Sequence, residues 1–396
     1  MTIKPFSHTI SKHGNWLILF VWLLTTAIYL KIFGVVTQLE AGKYIEEAER
    51  FIKNGAFSTP RYWFYSVTLF ILIISMKFKI GMTGAFIIQA LLNLCAYMLF
   101  YKALKQIFQK TTTAFFTIIY LLLFWAYQSW VVFLYTESAF FSLILILFAV
   151  LVLYPPTSPK NIIRLALVFI LLLISRPLGI LFAGSQYFYL LVIANRKWKW
   201  ILGAGSILVI IFGYFVVNAV FGSLKDWTIT QAFEQESIIC DMPASPPYAK
   251  LDLAGMGSPT YQLGYYLTHN FSHFIHFAGI KLQYFFLMTR QYYSTWHNHF
   301  LLLNLVPLYF FALIGVFVKS VKFSKGINIF LLSSILLFAI TIVFQCDDYH
   351  NRFVLSIFPF FVILAAKSFE RLCLFLFKNH EATTCIGVEE TIIKAQ

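Results

Sequence analysis

The sequence predicts an all-α polytopic membrane protein, with about ten transmembrane helices and a first external loop that carries an amphipathic interfacial helix. Three observations carry this class. Of 396 residues, 60% are hydrophobic and 12% are charged, against roughly 45–50% and about 25% in a soluble domain. Apolar runs near the length of a bilayer span recur along the whole chain. Lys and Arg number 30 against 16 Asp and Glu, a net charge of +14, and the basic clusters fall between particular pairs of those runs. Mean hydropathy is +0.78. A soluble enzyme is excluded, because a packed core cannot hide so much apolar surface. The basic excess would suggest nucleic acid in a soluble protein; here it reads as an orientation signal, and no nucleic-acid partner is expected.

Taken in order, spans are expected at about 15–37, 82–101, 113–131, 138–154, 199–221, 299–318, 327–345 and 353–373. Residues 162–194 form one apolar stretch broken by Ser175-Arg176-Pro177. It is too long for a single span and reads as two short helices meeting at the Arg-Pro pair. The run 63–79, bracketed by Arg61, Lys77 and Lys79, is barely long enough to cross. If it stays at the outer interface and the N-terminus is cytoplasmic, the clusters around Lys102, Lys160, Arg196, Lys319 and Lys367 all fall inside. A rival topology, with 63–79 crossing and the N-terminus outside, also places them inside. The favoured reading puts both termini in the cytoplasm. The first span lacks a cleavage site and reads as an anchor. This divides the chain into an N-terminal membrane module, 1–221, with its first external loop at 38–81; an external loop, 222–298, with an aromatic interfacial helix over Tyr261 to Gln291; C-terminal membrane helices, 299–378; and a cytoplasmic tail, 379–396.

The segment Gln38 to Phe51 places Glu40, Tyr44, Glu47, Ala48 and Phe51 on one helical face. Glu40 starts that helix, where the dipole favours a carboxylate. It reads either as a helix-start charge or as a general base held at headgroup level. Glu137 opens a long apolar span, as a solvated helix start or as a carboxylate facing a cavity or partner. Arg176 lies inside the longest apolar run; an intramembrane arginine suits a phosphate, or it pairs with Glu137 for structure alone. The loop Cys346-Asp347-Asp348-Tyr349-His350-Asn351-Arg352 gathers two acids, a His and an Arg before the last span. It reads as a solvated turn, or as a site where Arg352 binds phosphate while Asp347 or Asp348 holds a cation or orients a sugar. His269, His273, His276, His297 and His299 fit no tight metal site, and no metal ligand set is assigned. Five cysteines show no CxxC spacing. Cys240 and Cys346 share the external side and could pair there.

Together these segments resemble the multispanning GT-C glycosyltransferases, particularly the bacterial relatives of protein mannosyltransferases and lipid A aminoarabinose transferases. Glu40, Tyr44 and Ala48 are similar to that family's first-loop acid, Tyr and Ala at helical spacing. Gly55-Ala56-Phe57 and Thr59-Pro60-Arg61-Tyr62 are similar to the end of its loop. Thr136-Glu137-Ser138-Ala139-Phe140 resembles its Thr-Glu-x-x-Phe, and Ser175-Arg176-Pro177-Leu178-Gly179 its Arg-Pro-x-Gly break. The run from Tyr266 to Phe271 and on to Lys281–Phe286 is similar to the segment before its later spans, and Arg352-Phe353 with Pro359 to its Arg-Tyr and downstream Pro. The likeness runs in order from residue 15 to about 372. The family's first-loop acid is most often Asp, whereas here it is Glu40.

The resemblance implies an enzyme of the bacterial inner membrane and cell envelope. It would move a sugar from a polyprenyl-phosphate donor to an acceptor hydroxyl on a glycan, lipid or protein, at the external face and with inversion. Glu40 would be the catalytic base; Tyr44, Arg61, Glu137, Arg176, Asp347, Asp348, His350 and Arg352 would bind substrate. No cofactor is assigned, and a divalent cation stays open. The alternative is a transporter or flippase of a lipid-linked or anionic substrate, with Glu137 and Arg176 lining its path.

Overall fold

A computed structural model describes residues 4–223, 230–240, 250–254, 257–318, 322–347 and 349–393. In chain order the helices are α1 (Lys4–Phe33), α2 (Glu40–Asn54), α3 (Ser66–Lys77), α4 (Gly81–Ile107), α5 (Thr111–Leu123), α6 (Trp125–Gln128), α7 (Thr136–Leu153) and α8 (Pro159–Leu173). There follow α9 (Gly179–Ile193), α10 (Arg196–Ser223), α11 (Gln231–Glu234), α12 (Pro259–His269), α13 (Phe271–Leu287), α14 (Thr295–Phe317), α15 (Lys325–Phe344) and α16 (Arg352–Ile393). Among the described residues there is no strand, only the isolated bridges Val36–Phe133 and Ile239–Asp347. Six helices among the described residues are long and apolar enough to cross a membrane: Thr9–Phe33, α4, α7, α14, α15 and Arg352–Phe375. A seventh candidate is α5 with Trp125–Val132, a pair bent by 70°. The protein is an all-α polytopic membrane protein.

Several boundaries differ from the sequence expectation. The first span stops at Phe33, because Gly34 turns left-handed at φ 66°, which glycine adopts without steric cost. The 113–131 span is not one straight helix, since the chain leaves helical geometry at Phe124 (ψ 94°). Tyr261 to Gln291 holds two helices rather than one. They part at Asn270, whose side chain donates to the Asp252 carbonyl (2.6 Å) and accepts from the Asp252 N–H (2.9 Å). The expected break at Ser175-Arg176-Pro177 is present between α8 and α9. Helix α3 has 12 residues, about 18 Å at 1.5 Å per residue, short of a hydrocarbon core of about 30 Å.

The chain forms two compact units: Met1–Ile180 with Pro307–Ile327 and Phe358–Gln396, and Leu181–Val306 with Asn328–Ile357. In the first unit α4 packs along α7, and its buried face carries Gln89, Asn93, Tyr97 and Tyr101 at four-residue spacing. Gln89, Asn93 and Tyr97 are hydrogen-bonded inside the helix bundle. Trp22 Nε1 donates to Asn93 Oδ1 (2.9 Å), and Tyr97 Oη to Gln128 Oε1 (2.8 Å). Just past the end of α4, Phe108 packs with its ring tilted against Phe323 (5.6 Å), and its carbonyl accepts from Lys322 Nζ (3.1 Å). In the second unit Phe182 meets Phe338 (5.3 Å), and a small cluster forms around Phe233, Tyr266 and Phe277. One disulfide, Cys240–Cys346, links segments 106 residues apart in that unit. The two cysteines that could pair therefore do.

Candidate functional site

In the first unit a parallel bridge sets the site. Val36 N–H donates to the Val132 carbonyl (3.0 Å), and Leu134 N–H to the Val36 carbonyl (3.1 Å). Gln89 Nε2 fixes the second segment by donating to the carbonyls of Val131 (3.1 Å) and Phe133 (2.8 Å). Each bridged segment then runs directly into a helix: α2 starts at Glu40, and α7 places Glu137 in its first turn. Both acids occupy a helix N-terminus, where backbone N–H groups favour negative charge. Tyr135 Oη closes the corner by donating to the Gln38 carbonyl (3.3 Å).

Helix α2 is amphipathic as expected, but the face it buries holds Ala41, Tyr44, Glu47 and Ala48. Glu40 sits at the edge, half-buried, and accepts from Tyr44 Oη (2.9 Å). The Tyr44 ring lies against Tyr65 (5.6 Å). Burial foremost, then the negative charges of Glu40 and Glu137, push the Tyr44 hydroxyl well above its ordinary range, while Arg176 pulls the other way. Of these three charged groups, Glu40 is the one in printed contact with the hydroxyl; Glu137 and Arg176 act on it through space. Glu47 is a residue that sequence reasoning left out of the site. Its buried carboxylate receives the Ser58 N–H (2.9 Å) and faces Arg50 (3.5 Å), so it folds the loop after α2 back onto the helix.

Arg176 and Glu137 are ion-paired, with Glu137 0% exposed. The break that holds Arg176 depends on close backbone approach. A Cβ on Gly179 would lie 2.5 Å from the Leu172 carbonyl oxygen, which only glycine avoids. Val67 N–H reaches the Ile174 carbonyl (3.4 Å), tying the start of α3 to the same break. Arg61 is exposed and lies over the ring of Tyr62 (5.2 Å).

In the second unit the residues of 346–352 separate. Asp347 is 1% exposed and ion-paired with Arg290, itself 1% exposed; the sequence reading had left Arg290 out. Asp348 lies outside the described residues. His350 is exposed, and Arg352 is buried as the first residue of α16. Of the five histidines expected to form no metal site, His273 bonds Glu236 (3.0 Å) and Tyr266 (2.8 Å), His269 stacks on Tyr265 (3.8 Å) and His297 on Tyr293 (4.1 Å). No group of three metal-type ligands converges among the described residues.

Lys281, also unassigned from sequence, is 1% exposed on α13. Its Nζ lies over the rings of Phe277 (4.4 Å) and Phe233 (4.8 Å) and 3.5 Å from the Val343 carbonyl. No carboxylate among the described residues pairs with it, and burial lowers it to about 7.

Compared with known proteins, the chain matches no family model, no curated protein and no solved structure.

Proposed function

We propose that the protein is a GT-C-type glycosyltransferase that moves a sugar from a polyprenyl-phosphate carrier to an acceptor hydroxyl. The observation that carries this reading is the corner formed by Glu40, Tyr44, Glu137 and Arg176 in the first unit. A half-buried carboxylate is oriented by a buried tyrosine, and an arginine paired with a fully buried acid acts electrostatically on that same tyrosine. This is the equipment for displacing a phosphate from an anomeric carbon. Glu40 takes the proton of the acceptor hydroxyl, the oxygen attacks the anomeric carbon, and the bond to the carrier phosphate breaks on the opposite face, inverting the centre. Arg176 stabilises the charge growing on the departing phosphate, and its pairing with Glu137 keeps the guanidinium in place before the reaction. In water an exposed arginine would have to be ordered at the moment of reaction; here the order is built in.

The same proposal takes about ten crossings, with the N-terminus cytoplasmic and the corner at the external face of a bacterial inner membrane. The short length of α3 supports keeping 63–79 out of the crossing count. The Cys240–Cys346 disulfide supports an oxidising, external side for both loops it joins. The transporter alternative asks for an open polar path. The interior polar groups of α4 are instead sealed, with Gln89, Asn93 and Tyr97 all buried and bonded.

The test is release of polyprenyl phosphate from a panel of polyprenyl-phosphate sugars by purified protein in nanodiscs. Glu40→Gln and Arg176→Ala should each remove turnover in protein that still elutes as a folded species. Full turnover in either variant would overturn the reading.

A further inference from the structure

The first unit gathers cations at the end of its helices remote from the Glu40 corner. Helices α4 and α7 run parallel: Asn93 Nδ2 donates to Ser142 Oγ (3.3 Å), and two turns further along both helices Phe100 meets Phe148 (5.4 Å). Glu137 lies in the first turn of α7, so the last turns of α4 and the α4–α5 connection lie at the far end. Three segments are joined there by side-chain contacts. Lys322 Nζ donates to the Phe108 carbonyl, and Phe323 packs on the Phe108 ring. Lys367 Nζ, from α16, lies over the Phe323 ring (5.0 Å). One turn further along α16, Glu370 Oε1 accepts the Lys110 N–H (2.8 Å).

Five basic residues stand within one helical turn of those contacts. Lys105, Lys322, Lys325 and Arg371 are exposed and Lys110 is half-buried; the Lys105 Nζ lies over the ring of Tyr101 (4.7 Å). Among the described residues of 102–113, 322–327 and 358–375, Glu370 is the one acid. It is 4% exposed and engaged by the Lys110 N–H, so the charge this surface shows to its surroundings has a single sign. The same helices turn apolar beside the cations. Phe116 on α5 and Phe369 on α16 are 53% and 55% exposed. A soluble polyanion would answer the cations and leave these rings bare, whereas a molecule that joins a phosphate to acyl chains covers both.

We propose that this end of the first unit is a docking surface for a phospholipid of net negative charge. Lys105, Lys110, Lys322, Lys325 and Arg371 meet its headgroup phosphate, and its chains run along the exposed apolar faces of α5 and α16 marked by Phe116 and Phe369. Long basic side chains suit this position, because their stems lie along apolar surface while their heads stay at the level of the phosphates. Contacts within the protein hold the segments that carry them: Lys322 closes the end of α4, and Glu370 the start of α5. The site is therefore assembled before the lipid arrives. The inference is independent of the proposed transfer reaction, which takes place at the other end of the unit.

The test places the full-length protein in phosphatidylcholine nanodiscs doped with phosphatidylglycerol. Retained lipids are counted by native mass spectrometry, and the melting temperature is followed against the doped fraction. The wild-type protein should retain phosphatidylglycerol in preference to phosphatidylcholine and gain stability as its fraction rises. Lys105→Gln, Lys325→Gln and Arg371→Gln combined should weaken that apparent affinity on the order of 100-fold, at about fivefold per basic residue. Lys43→Gln, Lys53→Gln and Lys77→Gln combined remove the same charge from exposed positions on α2 and α3 and should bind as the wild type does. If the first triple variant fails to fold, Lys105→Gln and Arg371→Gln singly should each weaken binding about fivefold. Equal retention of the two lipids, or an equal loss in the α2–α3 variant, would overturn the docking surface and leave only an effect of net charge. Protection in detergent by glycerol phosphate as strong as that by phosphatidylglycerol would overturn it in favour of a soluble anion, and equal protection by diacylglycerol would remove the headgroup from the recognition.

Discussion

Glu40 and Glu137 stand in the same register: each lies four residues beyond a partner in the parallel bridge Val36–Phe133. Two acids nearly a hundred residues apart are therefore delivered to one corner by a single pair of backbone hydrogen bonds. Val36→Pro removes the N–H that donates to Val132. One such bond contributes about 1 kcal/mol, so the protein should still insert and fold. Under the proposed function, carrier-phosphate release should nevertheless fall at least tenfold, because Glu40, the proposed base, would shift relative to Arg176. Unchanged turnover would show that the bridge does not place the acid.

Arg176 and Glu137 should behave asymmetrically to single and double replacement. Arg176→Ala leaves a fully buried carboxylate without its ion-pair partner, a loss of about 3–5 kcal/mol in known cases. Glu137→Leu combined with Arg176→Met removes both charges and should recover most of the melting temperature. Turnover should remain absent in both proteins. A double variant that is active would reduce the pair to a structural strut.

Tyr44→Phe removes a single oxygen from the site. The Glu40 carboxylate loses its bond from Tyr44 Oη, while the ring contact with Tyr65 is kept. The expected result is an unchanged melting temperature with turnover lowered about tenfold, the scale of one charge-assisted hydrogen bond. If the melting temperature dropped and the turnover number held, Tyr44 would be a packing residue and not an orienting one.

The corner was readable in outline because its chemistry is anomalous for its surroundings. Charges inside apolar runs, such as Glu137 and Arg176, stand out by the desolvation they require, and Arg-Pro followed by Gly marks a break wherever it occurs. The bent span at Phe124 carried no such mark, because ψ at one aromatic residue decides it. Arg290 and Lys281 were missed for a related reason. Both sit in an aromatic, polar-flanked segment that reads as an exposed interface, where a cation is ordinary; only three-dimensional packing buries them. Asp347 and His350, close in sequence and alike in appearance, part company because one is gripped by Arg290 and the other faces outward.

Lys281 gives a pH dependence with a definite sign. Burial lowers it from 10.5 to about 7, so between those values the unfolded chain holds a proton that the folded chain has released. Stability should rise with pH across that interval and be flat, at its lowest, below about pH 7. Lys281→Met should raise the melting temperature by several degrees at pH 6, with the gain shrinking toward zero as pH approaches 10.5. A gain independent of pH would mean that the amine is never desolvated.

The disulfide supplies the test of orientation. Cys240 and Cys346 close a long loop, and such a bond contributes about 2–5 kcal/mol, so reductant should lower the melting temperature of the wild-type protein and leave the double serine variant unaffected. With Cys95, Cys373 and Cys385 replaced by serine, these two remain as the only thiols in the chain. In intact cells a membrane-impermeant maleimide should label nothing before mild reduction and both cysteines after it. The same reagent should reach a single cysteine introduced after residue 54, because the loop holding Glu40 and the loop holding the disulfide share the external side in the proposed topology. Labelling of residue 54 only after the membrane is permeabilised would place Glu40 in the cytoplasm. That result would reverse the first unit, put the basic clusters on the wrong side of the positive-inside rule or add a crossing at 63–79, and remove the external acceptor from the proposed reaction.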